Sequence, residues 1–108
     1  MIQVQIPDLF ADLIDQGEDF GWMVSDPTPT GGIRVTIVGA KPEVVTDAAD
    51  VLISENAHLG WGRHEHSVTV DMPDEKRQEI DVIVTFWEPG QPDEVTIRRR
   101  VRELENPL

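Results

Sequence analysis

The spacing of hydrophobic residues in this 108-residue chain alternates between two periods, and this restricts its fold more than any other feature. After Asp8 and again after Pro42, apolar residues recur at helical spacing, within 9–14 and 45–53. Five other segments alternate apolar with polar residues, at 20–25, 33–38, 64–70, 80–87 and 95–102. A period of 3.6 residues indicates a helix and a period of two indicates a strand. The sequence therefore predicts an α+β protein with two helices and at least five strands.

The first two alternating segments are predicted to form a hairpin, because the turn-forming residues 26–32 separate them. One register puts all of their apolar side chains on one face, since a slip by a single residue would turn a whole strand over. That register pairs Phe20 with Ile37, Trp22 with Val35 and Val24 with Ile33.

The last two alternating segments, 80–87 and 95–102, are predicted to form a second hairpin. Its register pairs Phe86 with Val95, Val84 with Ile97 and Ile80 with Val101. The same register sets Asp81 opposite Arg100, and cross-strand pairs of opposite charge contribute about 0.2–1 kcal/mol each.

These elements predict a mainly antiparallel sheet of five strands with both helices on one face. Residues 2–6 also alternate and form either a sixth strand or an irregular lead-in. The predicted order is (β)αββαβββ, and with that first strand the first six elements follow the ferredoxin-like order βαββαβ. The length suits one domain over residues 1–108, since single domains cluster near about 100–150 residues.

Several function classes find no support in the sequence. The chain has no cysteine, which excludes disulfides, thiolate metal sites and a cysteine nucleophile. Gly31 and Gly32 precede a strand rather than a helix, so they do not indicate a phosphate site. No serine stands in a recognisable catalytic arrangement. We therefore expect a non-enzymatic protein without a cofactor, and, lacking a signal-peptide pattern or an apolar span, a cytoplasmic one.

The charge is strongly acidic, with 21 acidic and 9 basic residues giving a formal net charge of −12. Such a charge favours a basic partner and disfavours direct binding to nucleic acid or a membrane. Six carboxylates follow i, i+4, i+7 spacing along the two helices, at Asp8, Asp12, Asp15, Glu43, Asp47 and Asp50. We call these six the acidic helix surface. It is either a solvated surface or a partner-binding one that imitates DNA phosphates, and the charge alone also fits salt adaptation.

A second candidate surface is the sheet face away from the helices, which we call the far face. The predicted registers give it Ile83 and Trp87 beside Arg98 and Arg100, together with Met23, Val38, Arg34 and Glu65. Aromatic, aliphatic and arginine residues together are typical of association surfaces. The far face is therefore a candidate for homodimerisation or for docking of a partner.

Two smaller features lie in the predicted loop 59–63 and at the start of the strand that follows it. Trp61, between two glycines in the predicted loop 59–63, is either a binding anchor or, as we favour, a cap on the core. His64 and His66 project to one side of a strand, as metal ligands do, but the sequence offers no third ligand on that side. They are therefore read mainly as solvated histidines.

Together these features favour an interaction protein that binds a basic or nucleic-acid-binding protein. Small accessory or inhibitory proteins of phages and mobile elements, DNA mimics among them, fit this description. A virion assembly component that forms a homo-oligomer is an alternative, and a metal-binding protein or metal-dependent enzyme centred on His64 and His66 is another.

Overall fold

The computed structural model describes residues 2–25 and 32–89. In chain order these form α1 (Asp8–Asp15), β1 (Phe20–Val24), β2 (Ile33–Gly39), α2 (Pro42–Glu55), β3 (Gly60–Met72) and β4 (Glu75–Trp87). The prediction of an α+β protein with two helices and an antiparallel sheet is confirmed. The described residues contain four strands rather than five or six. The predicted strand at 95–102 lies outside them.

The sheet has the order β1-β2-β4-β3, and every neighbouring pair is antiparallel. β4 is a central strand: β2 pairs with its residues 80–86 and β3 pairs with it from Glu75 to Trp87. A strand has only two hydrogen-bonding edges, and both edges of β4 are occupied. The predicted pairing of 80–87 with 95–102 is therefore wrong, and so is the pairing of Asp81 with Arg100. Asp81 instead lies opposite Val38 and His66.

The β1–β2 hairpin forms as predicted, but its register differs by two residues. Phe20 lies opposite Gly39, and Trp22 lies opposite Ile37. A shift of two keeps every side chain on its expected face. Of the set predicted to face the core, Val35 and Ile37 are buried, whereas Trp22 and Val24 are exposed. The sequence pattern ended β2 one residue early because Gly39 has no side chain to count. A Cβ on Gly39 would lie 2.6 Å from the Asp19 carbonyl oxygen, so the hairpin needs a glycine there.

Both helices pack on one face of the sheet, as the sequence predicted. Phe10 of α1 contacts Phe20 and Trp22 of β1, with ring centroids 5.3 and 5.7 Å apart. α2 lies over β2 and β4 and contributes four buried residues, Val45, Ala48, Ala49 and Leu52. The sheet completes the core with alternate residues of its two central strands, among them Val35, Ile37, Val82, Val84 and Phe86. Neither helix in the described part of the chain is long or apolar enough to cross a membrane.

The helix boundaries differ slightly from the sequence pattern. α1 begins at Asp8 itself, with Pro7 as its N-cap, whereas the apolar periodicity begins after Asp8. α1 ends at Asp15 with Gln16 as its C-cap, and Gly17 follows with a φ of 79°, a conformation that glycine adopts without strain. α2 begins at Pro42, and the first helical position suits proline because its missing N–H has no partner within the helix.

Residues 2–7 are not a strand, although their apolar residues alternate. Ile2, Val4 and Ile6 are partly buried against the core, as the alternation suggests. The backbone of Gln5, however, bonds to the buried side chain of Asn56 rather than to another strand: its N–H donates to Oδ1 (2.7 Å), and its carbonyl accepts from Nδ2 (2.9 Å). The ferredoxin-like order needs a first strand, so it does not describe these elements, which read αββαββ.

Candidate functional site

The acidic helix surface is exposed in full. All six of its carboxylates lie on solvent-accessible positions of α1 and α2. Because both helices pack on the same face of the sheet, the six carboxylates belong to one side of the molecule. Neither helix contains a basic residue that could neutralise them from within. One side of the protein therefore presents concentrated negative charge.

Within the part of the chain that the structure describes, one cation of the sheet forms an ion pair with this surface. Arg63 of β3 forms ion pairs with Asp50 of α2 and with Glu65 of its own strand, the latter at 2.8 Å. Partial burial opposes the charged form of Arg63, but the hydrogen bonds and charges of Asp50 and Glu65 outweigh it, so the pKa of Arg63 is raised. Arg63 is therefore a fixed positive charge that ties α2 to the edge of the sheet.

The other five carboxylates of the acidic helix surface have no ion-pair partner within residues 2–25 and 32–89. The only other helix-side pair among those residues joins Lys41 to Glu18, at 3.2 Å, and leaves the surface itself unchanged. Among the described residues, five of the six carboxylates of this surface are thus left without a neutralising cation.

The placement of two acidic residues disfavours helix formation. Asp15 is the last residue of α1, and Glu55 is the last residue of α2. The C-terminal end of a helix carries partial negative charge, so a carboxylate there costs about 0.3–1 kcal/mol at an exposed site. Helix stability therefore does not account for these two acids.

Trp61 lies at the margin of the same side. It belongs to β3 rather than to a loop, so the predicted loop 59–63 is wrong from Gly60 onward. Its register opposite the buried Phe86 places it on the helix side of the sheet. Because α2 covers β2 and β4, Trp61 remains 45% exposed. The expectation that Trp61 is buried as a cap on the core is therefore wrong, and the residue lies exposed on the same side of the sheet as the acidic helix surface.

The far face differs from its prediction in two respects. Trp87 is only 1% exposed, so the expectation of an accessible tryptophan there is wrong. Glu65 lies opposite Val82, on the helix side, so its assignment to the far face is also wrong. Met23 is 62% exposed, and Ile83 is half-buried. Arg98 and Arg100 lie outside the described residues.

His64 and His66 do lie together on the far face. Their ring centroids are 3.9 Å apart, the planes meet at 82°, and the two Nε2 atoms are hydrogen-bond partners. His64 is 6% exposed, so its interpretation as a solvated histidine is wrong, whereas His66 is exposed as expected. Within residues 2–25 and 32–89, no third histidine or carboxylate completes a cluster with them. The pair can offer two nitrogen ligands to an ion.

Sequence reasoning missed Arg63 and Asn56. The buried Asn56 follows α2, and its amide accepts and donates the hydrogen bonds that hold Gln5. Arg63 and Glu65 alternate on a strand beside an acidic helix, and that signal could have been recognised.

Comparisons with protein-family models, with curated proteins and with solved structures gave no significant match to this chain.

Proposed function

We propose that the protein is a small non-enzymatic interaction protein that binds a basic protein surface, such as that of a nucleic-acid-binding protein. The observation that carries this proposal is the acidic helix surface, whose carboxylates share one side of the molecule and, apart from Asp50, have no ion-pair partner in the described residues. Unpaired like charges on a small domain repel one another. A basic partner relieves that repulsion.

Spacing supports a partner that normally contacts DNA. Along each helix the carboxylates rise by about 6 Å and then about 4.5 Å, from the 1.5 Å rise per residue. On DNA, Lys and Arg side chains contact regularly spaced phosphates of the backbone. The carboxylates along each helix are likewise anions at regular spacing. Occupying such side chains would keep the partner from its nucleic acid, which is the action of an inhibitor that imitates DNA.

Trp61 can contribute binding free energy that the charged contacts do not provide. Charged contacts speed association and set orientation, while buried aromatic residues contribute most of the binding free energy at many interfaces. Trp61 is exposed on the helix side, and its neighbour Arg63 is held in place by Asp50 and Glu65. We assign Trp61 the role of an apolar anchor at the edge of the acidic helix surface.

Capture of partners from a lysate of the native host tests the proposal. The bait is either wild-type protein or the double variant Asp12→Asn/Asp47→Asn, which removes two unpaired carboxylates and leaves the Asp50–Arg63 pair intact. The matched control is Asp71→Asn/Asp74→Asn, which makes the same change in net charge at exposed positions in the β3–β4 hairpin. Captured proteins are identified by mass spectrometry.

The proposal predicts one stoichiometric basic partner that binds the wild type and the control but binds the helix variant weakly. Equal losses for both double variants would mean that total charge, and not this surface, attracts the partner. Capture that is unaffected by either variant would reject the acidic helix surface as the binding site.

The second candidate function is formation of a homo-oligomer, as in a virion assembly component. The exposed edge of β1 favours it. β1 is an edge strand of the described sheet, and its sequence FGWMV carries no charge. Trp22, Met23 and Val24 are 38%, 62% and 42% exposed. Edge strands are usually protected by charges or prolines against pairing with another chain, and β1 has neither.

Salt distinguishes the two candidates. Copies of a chain with net charge −12 repel one another, so added salt should strengthen self-association through β1. The same salt should weaken a complex with a basic partner. Light scattering over a range of protein and salt concentrations, with Met23→Lys as the variant that blocks β1, measures the first effect. A monomer at all salt concentrations would reject the homo-oligomer.

A further inference from the structure

We propose that His64 and His66 form a two-imidazole site for a divalent transition-metal ion on the far face. The two histidines alternate on β3, so both side chains leave the strand on the same side. Their rings meet edge to face, and their Nε2 atoms point at each other. This arrangement goes beyond the acidic helix surface, which lies on the opposite side of the sheet.

The two facing nitrogens can share either one proton or one metal ion. A neutral imidazole has one N–H donor and one lone-pair acceptor. When two Nε2 atoms face each other, one proton or one metal ion must lie between them, because two lone pairs or two N–H groups repel. A metal ion binds both lone pairs at once and leaves each Nδ1 protonated, which is the usual tautomer of a metal-bound histidine.

The surroundings suit capture of a cation from solution. His64 is 6% exposed and therefore held by its packing, while His66 is exposed and can turn to admit an ion. Zinc needs each nitrogen at about 2.0–2.1 Å, so the two rings must move apart to admit an ion between them. Asp81 lies directly opposite His66 on the same face, and its carboxylate adds a favourable negative potential.

Ligand type sets the metal class. Imidazole nitrogens suit Zn²⁺, Ni²⁺ and Cu²⁺, whereas Mg²⁺ and Ca²⁺ prefer oxygen ligands. With two protein ligands, water completes the coordination sphere, so the ion remains exchangeable. We therefore expect reversible binding of one Zn²⁺ or Ni²⁺ per chain and none of Mg²⁺ at the same concentration.

Isothermal titration of the untagged full chain with ZnCl₂, NiCl₂ and MgCl₂ at neutral pH tests this site. His66→Gln should weaken zinc and nickel binding at least about tenfold, since even outer-shell changes alter metal affinity by about 10–100-fold. His64→Gln should do the same. His58→Gln is the matched control, because His58 is exposed and lies outside β3.

Because His64 is buried, circular dichroism must check that His64→Gln still folds. If that variant does not fold, the exposed His66 still allows His66→Gln to test the site. Loss of binding in both β3 variants with retention in His58→Gln supports the site. No uptake by the wild type, or equal weakening by His58→Gln and His66→Gln, overturns it.

Discussion

The indole of Trp87 lies directly on the backbone of Gly60. The two residues are cross-strand partners at the ends of β4 and β3, and a Cβ built on Gly60 would lie 2.5 Å from Cε2 and 2.6 Å from Cδ1 of the indole. Trp87 is 1% exposed in this position. A glycine that appeared to belong to a flexible loop therefore provides the space that buries the largest side chain of the far face.

Replacing Gly60 with alanine should destabilise the protein by about 1–3 kcal/mol, the usual cost of overpacking a filled site. Chemical denaturation measures this loss. Adding Trp87→Leu should relieve the clash, so the double variant should lose less than the sum of the two single losses. Gly21→Ala is the control, because its nearest neighbour, a methyl group of Val38, is 3.4 Å away. Equal losses at Gly21 and Gly60 would contradict the packing described here.

Replacing Asn56 with alanine should destabilise the protein by about 1–3 kcal/mol, because backbone groups of Gln5 lose their partner. The bond from Asn56 to the Leu52 carbonyl is lost as well. Hydrogen exchange should show faster exchange of the Gln5 amide. Gln5→Ala leaves these backbone bonds in place and should change stability by less than about 0.5 kcal/mol. An unchanged Gln5 exchange rate in the Asn56 variant would contradict the proposed clamp.

Neutralising the acids at the helix ends should stabilise the protein. Asp15→Asn and Glu55→Gln each remove a carboxylate from a helix C-terminus, and each should raise the free energy of unfolding by about 0.3–1 kcal/mol. Glu43→Gln makes the same charge change in the first turn of α2, where a carboxylate is favourable, so it should not stabilise. Thermal unfolding of all three variants at low salt compares them. Stabilisation of equal size in all three would assign the effect to net charge instead of helix position.

Removing the Arg63 ion pairs should have a small effect that does not vary with pH near neutrality. Arg63→Met should cost about 0.5–1 kcal/mol, since Asp50 is largely exposed to water. The raised pKa of Arg63 means that its stabilising charge is fully present below its unfolded-state pKa and is lost only at extreme alkaline pH. The cost should therefore be constant from about pH 6 to 9 and smaller in high salt. A cost that changes steeply across that interval would contradict this assignment.

Periodicity located the described helices and strands because burial of one face imposes it. Phe10, Val35 and Leu52 each lie in the core where their spacing placed them. Pairing partners were harder to predict, because periodicity fixes which face a side chain occupies but not which strand lies alongside. Strand β4 shows this limit, because its alternating pattern is compatible with more than one neighbouring strand. The apolar residues of 95–102 fit it as well as those of β2, its actual partner, so the pattern could not choose between them.

The candidate site was predictable only in part. The i, i+4, i+7 spacing identified the acidic residues of α1 and α2, because a helix fixes which residues share a face. Exposure of Trp61 and burial of Trp87 depend on how far α2 reaches across the sheet and on a glycine in the neighbouring strand, and neither is visible in local sequence. The meeting of the His64 and His66 side chains required their rotamers, which alternation does not determine.

The most direct test of the acidic helix surface is the dissociation constant of the captured partner as a function of salt, between about 0.05 and 0.2 M. The wild type and the Asp71→Asn/Asp74→Asn control should show the same steep weakening with salt. Asp12→Asn/Asp47→Asn should bind more weakly at low salt and show a shallower slope, because fewer charges remain in contact. A dissociation constant that does not change with salt would contradict binding of a basic partner through this surface. The same salt dependence of the dissociation constant for all three proteins would also contradict it.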